Sequence, residues 1–180
     1  MDLTERMVSS ETIFEGKIIK VTLDQARLPN GSLAAREVVY HPGGVAVLAL
    51  DSDNTVYLVK QFRYPLQELL LELPAGKLDH GSEEDALLGA QRELSEETGL
   101  EAAKWTYLGY TLASPGFCTE ALHMYLAQDL TRKGQHLDED EFLDVVTMPF
   151  DQLVGQVMDG TITDGKTVSA TLKVKVLLGL

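Results

Sequence analysis

The sequence is poor in cysteine, tryptophan and basic residues, and it has no long apolar run. A single cysteine, Cys118, stands in 180 residues. It can form no internal disulfide framework, and a reducing compartment, the cytoplasm, is expected. The longest apolar stretches, such as "GGVAVLAL" at 43–50, fall well short of the ~20 residues that a membrane-spanning helix needs. The polar opening "MDLTERMVSS" carries no signal-peptide pattern. Lysine and arginine number 15 against 28 acidic residues, for a net charge of −13. That balance argues against a nucleic-acid backbone as the main partner, which would need basic surface. It leaves room for a small phosphorylated ligand, because a bound divalent cation reverses the local sign. Neither a phosphate-binding P-loop nor a G-x-S-x-G nucleophile turn is found, and His41, His80, His123 and His136 have no metal-ligand spacing with Cys118.

What is present is an ordinary soluble core, 44% hydrophobic. "TIFEGKIIKVTLDQARL" is rich in β-branched residues and runs into "PNGS" (29–32), a hairpin signal, with "AAREVVY" (34–40) as the return strand. "VAVLAL" and "TVYLVKQF" flank "DSDN" as a second hairpin, and "LLLEL" (69–73) reads as a strand stopped by "PAG". A helical pattern runs from Glu83 to Thr98, followed by strands in "KWTYLGYTLAS", "ALHMYLAQDL" and "FLDVVTMPF" and by two C-terminal helices. This order predicts an α+β fold, or a sheet between helices, rather than a regular βαβ array.

The helix raises a question of charge. At about 100° per residue, Leu87, Ala90 and Leu94 share an apolar stripe, and Glu93, Glu96 and Glu97 border it, so the glutamates are expected to line a crevice. Gly99 fits the left-handed position just past a helix end, which puts Glu96 and Glu97 in the last turn. Anions there are disfavoured by ~0.3–1 kcal/mol each, and like charges three or four residues apart cost a further ~0.2–0.5 kcal/mol. Only Arg92 is placed to offset Glu96. A solvated acidic face is one reading. The other is a carboxylate cluster for a hard cation such as Mg²⁺, which takes a few carboxylates together with water and substrate phosphate.

"GKLDHGSEEDALLGAQRELSEETGL" (76–100) resembles the Nudix box, G-x5-E-x7-R-E-U-x-E-E-x-G-U with U aliphatic. Arg92, Glu93, Leu94, Glu96, Glu97, Gly99 and Leu100 match its second half. The first half departs: Gly76 to Arg92 is two residues longer than usual, and Ser82 follows Gly81 where the family has glutamate. "ELPAGK" (72–77), "SPGF" (114–117), "LDEDEF" (137–142) and the pattern of the N-terminal half resemble the ADP-ribose pyrophosphatase branch.

The resemblance implies a Nudix-type α/β/α sandwich with a mixed sheet over 43–180. An antiparallel β-unit over 1–42 would precede it, making substrate contacts and a homodimer. It implies metal binding by Glu93, Glu97, Glu141 and the carbonyl of Ala75, with Mg²⁺, or Mn²⁺ in its place. Glu139 is implied as the general base, and Glu96 competes for that role. The substrate contacts it implies are Lys17, Ile18, Arg36, Glu37, Arg63, Lys77, Ser114, Pro115, Gly116 and Glu120. For Arg36 a surface pair with a nearby acid is the competing reading. The implied reaction is hydrolysis of a nucleoside diphosphate sugar, ADP-ribose, to AMP and ribose 5-phosphate. The alternatives are another nucleotide sugar or a dinucleotide (GDP-mannose, NADH), or a ligand-binding module without catalysis.

Overall fold

The structure, a computed structural model, describes residues 2–78, 85–137 and 141–180. The N-terminal strands β1 (Arg6–Glu15), β2 (Lys20–Arg27) and β3 (Leu33–Tyr40) form an antiparallel sheet in that order. The β-branched run is thus two strands: the Gly16 N–H bonds the Ile19 carbonyl at 2.9 Å and turns the chain so that Glu15 faces Lys20. The Asn30-Gly31 turn closes the next hairpin, with Gly31 at φ 88° and Arg27 opposite Leu33.

The second sheet is mixed and seven-stranded. It comprises β4 (Gly44–Leu50), β5 (Thr55–Arg63), β6 (Glu68–Glu72), β7 (Ala75–Lys77), β8 (Leu100–Leu112), β9 (Ala121–Arg132) and β10 (Leu143–Pro149). The order is β10-β5-β4-β9-β8, with β6 on β5 and β7 on β4. Among the described residues of this sheet, β4 and β9 pair in parallel and the other pairs are antiparallel. Strand β6 stops at Glu72, before the "PAG" segment, as its proline and glycine suggest. Pro74 has no N–H to donate, but its carbonyl accepts from Val47 at 2.9 Å and the chain resumes as β7 against β4.

Every residue of β4 is buried, as expected of a strand covered on both faces. Val45, Val47 and Ala49 face Ala90 and Leu94 of α1 (Ala86–Thr98). Ala46, Leu48 and Leu50 face Phe150, Leu153 and Val154 of α2 (Phe150–Met158) and Ala170 and Val174 of α3 (Gly165–Leu178). The result is an α/β/α sandwich beside a separate antiparallel sheet. The two are joined where the Val39 N–H and carbonyl bond Phe117 and Thr119 at 2.7 and 2.9 Å. Among the described residues, no helix is long and apolar enough to cross a membrane.

Helix α1 starts at Ala86, later than the pattern from Glu83 predicts, because Asp85 takes an extended conformation (ψ 115°) and its carboxylate accepts from the Leu87 N–H. A cap of this kind outcompetes continued helix. The lengthened turn of the box, 79–84, lies outside the described residues.

Candidate active site

A cavity of about 1060 Å³ opens where α1, β7, β5 and the start of α3 meet, just above the ~300–1,000 Å³ usual for ligand sites. Glu93, Glu96 and Glu97 line it, as the helical spacing predicts. Glu93 and Glu97 are only 6% and 2% exposed. The Glu97 carboxylate accepts from the Ala75 N–H at 2.9 Å, tying α1 to β7. Glu93 lies against the α-carbon of Gly76, where a Cβ atom would overlap its carboxylate and push it aside. Arg92 donates to Glu93 at 2.7 Å, to Glu96 at 3.1 Å and to the Lys77 carbonyl at 3.2 Å.

One guanidinium does not neutralise this wall. Burial pushes the Glu93 carboxyl up to about 7, against the pull of Arg92, and the charges of Glu96 and Glu141 add to the rise. Burial pushes Glu97 up to about 8; the Ala75 amide pulls it back, while Glu93 and Glu141 push it further. These are carboxylates held where an ionised group lacks sufficient compensation.

The helix end itself is satisfied. Gly99 has φ 67° and bonds back to Ser95. The segment before the acidic run then bonds further carbonyls: Lys133 N–H to Gly99 at 2.8 Å, His136 N–H to Glu96 at 3.0 Å, and the Gln135 side-chain amide to Glu97 at 2.7 Å. A Cβ on Gly99 would approach the Gln135 nitrogen to 2.7 Å. The glycine therefore serves both the left-handed turn and the docking of this segment.

The opposite wall holds residues that the sequence reading missed. Glu72, at the end of β6, is 1% exposed and accepts two 2.7 Å bonds from Nε and Nη2 of Arg63 and a third from Lys166. Lys166 also donates to Asp164 at 2.9 Å. Asp164 caps α3 through Thr167, whose hydroxyl accepts from the Leu73 N–H at 2.9 Å. Burial alone would raise Glu72; its hydrogen bonds to Arg63 and the Lys166 charge outweigh that and hold it below the ordinary carboxylate range. The one local signal was "TDGK" (163–166), an N-cap pattern before the last helix.

Of the expected site residues, Ile18, Arg63, Ala75, Lys77, Glu93, Glu96, Glu97, Glu120 and Glu141 line the cavity. Lys17, Arg36, Glu37, Ser114, Pro115 and Gly116 are not part of its lining within one chain. Arg36 instead forms a bidentate pair with Glu5, at 2.7 and 2.9 Å. Ser114 to Phe117 form a turn in which the Ser114 carbonyl accepts from Phe117 and Cys118. Glu139 lies outside the described residues.

The donor set suits a hard cation. Its side chains are carboxylates, buried and short of positive charge. Among the described residues, no three His, Cys, Asp or Glu side chains converge to form a cage by themselves.

Comparison with known proteins identifies the family. Residues 40–170 match the NUDIX domain, and residues 5–39 match the nucleoside diphosphate sugar hydrolase N-terminal domain. A methanol dehydrogenase activator of Bacillus methanolicus is 42% identical, over 92% of this chain and 90% of its own. An ADP-ribose pyrophosphatase of Bacillus subtilis (strain 168) is 41% identical, over 93% and 91%. A solved structure of an ADP compounds hydrolase shares the fold, with a TM-score of 0.85 over 99% of this chain and 97% of that one, at 24% identity. With its glutamate-bearing helix at the cavity and a family match over most of its length, the chain belongs to the NUDIX family of hydrolases.

Proposed function

We propose that the protein hydrolyses the diphosphate of ADP-ribose to AMP and ribose 5-phosphate with Mg²⁺, or Mn²⁺ in its place. The observation that carries this reading is the charge imbalance of the cavity. Two buried glutamates on α1 are left short of positive charge even with Arg92 paired to Glu93 and Glu96, and Arg63 and Lys77 line the same space. Glu93, Glu97, Glu141 and the Ala75 carbonyl would hold the cation, and Glu96 would reach it through water. When bound, it supplies charge neutralisation at the phosphates and an acidified water. Glu139, or Glu96 in its stead, takes a proton from the attacking water as the new oxygen–phosphorus bond forms. The bridging oxygen–phosphorus bond breaks, and the two monophosphates leave. Lys77, Glu120 and the Ser114–Gly116 turn serve the diphosphate and terminal ribose, and Ile18 and Arg63 serve the nucleotide side.

The unit 1–42 joins two copies into a homodimer and brings Lys17, Arg36 and Glu37 to the partner's substrate site. Support comes from β1, which is exposed along all 10 residues, with Val8, Ile13 and Phe14 at 52–59%. An apolar edge strand of that length is a pairing surface. The cytoplasm is the compartment we propose. The test is incubation with ADP-ribose, GDP-mannose and NADH, with and without Mg²⁺, followed by separation of products. AMP and ribose 5-phosphate appearing only with the cation is the expected result. Cleavage of GDP-mannose alone would move the protein to another substrate, and no cleavage of any would leave a binding module.

A further inference from the structure

We infer that Glu72 and Lys166 are positioning residues: together they hold the Arg63 guanidinium on the cavity wall, where its remaining edge meets a phosphate of the ligand. This rests on the reading of the cavity as a nucleoside diphosphate site. In the β5–β6 register Arg63 lies opposite Glu68, yet its side chain reaches back to Glu72. Both Nε and Nη2 are taken, in the fork geometry that fixes the plane of an arginine. Neither bond to Glu72 uses Nη1, and Arg63 lines the cavity at 38% exposure.

A carboxylate 1% exposed would not hold one partly exposed arginine cheaply. Lys166, 11% exposed on the same cavity, supplies the second cation, and Asp164 completes a cluster of two positive and two negative groups. Asp164 and Thr167 tie that cluster to the α3 cap and to Leu73. The start of α3 thereby becomes part of the ligand site, although residues 72 and 166 are far apart in sequence. A fixed guanidinium loses little freedom when it grips a phosphate, so its placement acts on affinity more than on turnover.

The test compares wild type, Glu72→Gln, Lys166→Met, Lys166→Arg, Arg63→Ala and the Glu72→Gln/Arg63→Ala double variant. The measurements are KM and kcat for ADP-ribose with Mg²⁺, the Kd of ADP-ribose in EDTA, and the melting temperature. Glu72→Gln is expected to raise KM and Kd about tenfold with kcat within about threefold. In the double variant it should add less than about twofold to Arg63→Ala, since both act through one group. Lys166→Met should weaken binding about threefold, and Lys166→Arg should restore it.

Multiplying effects in the double variant overturn the inference, as does a Glu72→Gln protein that melts lower with KM and Kd unchanged. If Glu72→Gln does not fold, Lys166→Met decides, and unchanged binding there overturns the inference. A wild type that binds ADP-ribose but hydrolyses no nucleoside diphosphate derivative overturns the functional reading alone, and the Kd series still decides this one. A wild type that does not bind ADP-ribose overturns both.

Discussion

Glu72 and Glu97 are both glutamates, equally buried at 1% and 2% exposure: Glu97 lines the cavity, and Glu72 lies behind the opposite wall, bonded to the lining residues Arg63 and Lys166. Glu72 meets Arg63 and Lys166 and is held below the ordinary carboxylate range. Burial pushes Glu97 up to about 8, because a single amide and the weaker pull of Arg63 do not offset that burial and two like charges. Burial is common to both, so the compensation differs. On the β6 wall the protein supplies its own cations. On the α1 wall it leaves the charge open, and the helix end, where anions are least welcome, makes that deficit larger. The comparison teaches that an acid used to hold structure and an acid held ready for a cation are told apart by partners, not by burial.

The sharpest way to break the contrast is Glu97→Gln. We expect kcat/KM for ADP-ribose to fall by about 10³-fold or more, ~4 kcal/mol of transition-state stabilisation. The metal-free protein should melt no lower, because a poorly compensated charge has been removed. A clear drop in metal-free melting temperature would make Glu97 structural, like Glu72. The converse substitution, Glu72→Gln, leaves two cations facing a neutral amide. Breaking a buried pair costs ~3–5 kcal/mol, and the low end applies because Arg63 is 38% exposed. A loss of about 6–12 °C in melting temperature is expected for a chain of this size. A loss under about 2 °C would mean that the cluster carries little stability.

The walls also oppose each other in pH. In EDTA, folded Glu93 and Glu97 keep protons that the unfolded chain has already released above its ordinary carboxylate range, so their effect is to lower stability as pH rises from about 4.5 toward 7 and 8. Glu72 is depressed instead. It contributes stability above the unfolded carboxylate pKa of 4.5 and loses it as pH falls through its own lower value. The metal-free melting temperature should therefore peak near pH 5 and fall by roughly 5 °C by pH 8, a size kept modest because water in the cavity raises the effective dielectric. Saturating Mg²⁺ should flatten the fall. A melting temperature that rises steadily from pH 5 to 8 without metal would contradict the α1 assignment.

How legible each wall was follows from how local its causes are. The α1 wall could be read because helical periodicity alone puts Glu93, Glu96 and Glu97 beside Ala90 and Leu94, and Gly99 marks the end. The order of strands and helices along the chain, with its two C-terminal helices, followed from patterning of the same kind, whereas the strand order within the sheet did not. Glu72 could not be read: "LLLEL" looks like any strand, and its partner Lys166 lies 94 residues away. The late start of α1 was missed because Glu83 and Glu84 are good helix formers, whereas Asp85 bonds its own backbone two residues on. Arg36 shows a limit of another kind. An arginine in "REVV" serves a ligand or an acid equally well by type, and within one chain Glu5 is the acid that reaches it.

The smallest effect, and the most specific, concerns what holds the open wall in place. The β6 wall is fixed by side-chain charges, but the end of α1 is held by neutral bonds from 133–136, of which only one, Gln135 to the Glu97 carbonyl at 2.7 Å, depends on a side chain. Gln135→Ala removes that bond and leaves the His136 and Lys133 main-chain bonds intact. A loss of about 1 kcal/mol, or ~2–4 °C, is expected. It should be insensitive to added salt, unlike the loss in Glu72→Gln, which arises from charge. Activity should fall only a few-fold, because Glu97 keeps its Ala75 contact. A Gln135→Ala loss as large as that of Glu97→Gln, at unchanged melting temperature, would show that the segment before the acidic run sets the geometry of the glutamates. The open wall would then be positioned from outside its own helix, as Arg63 is by Glu72.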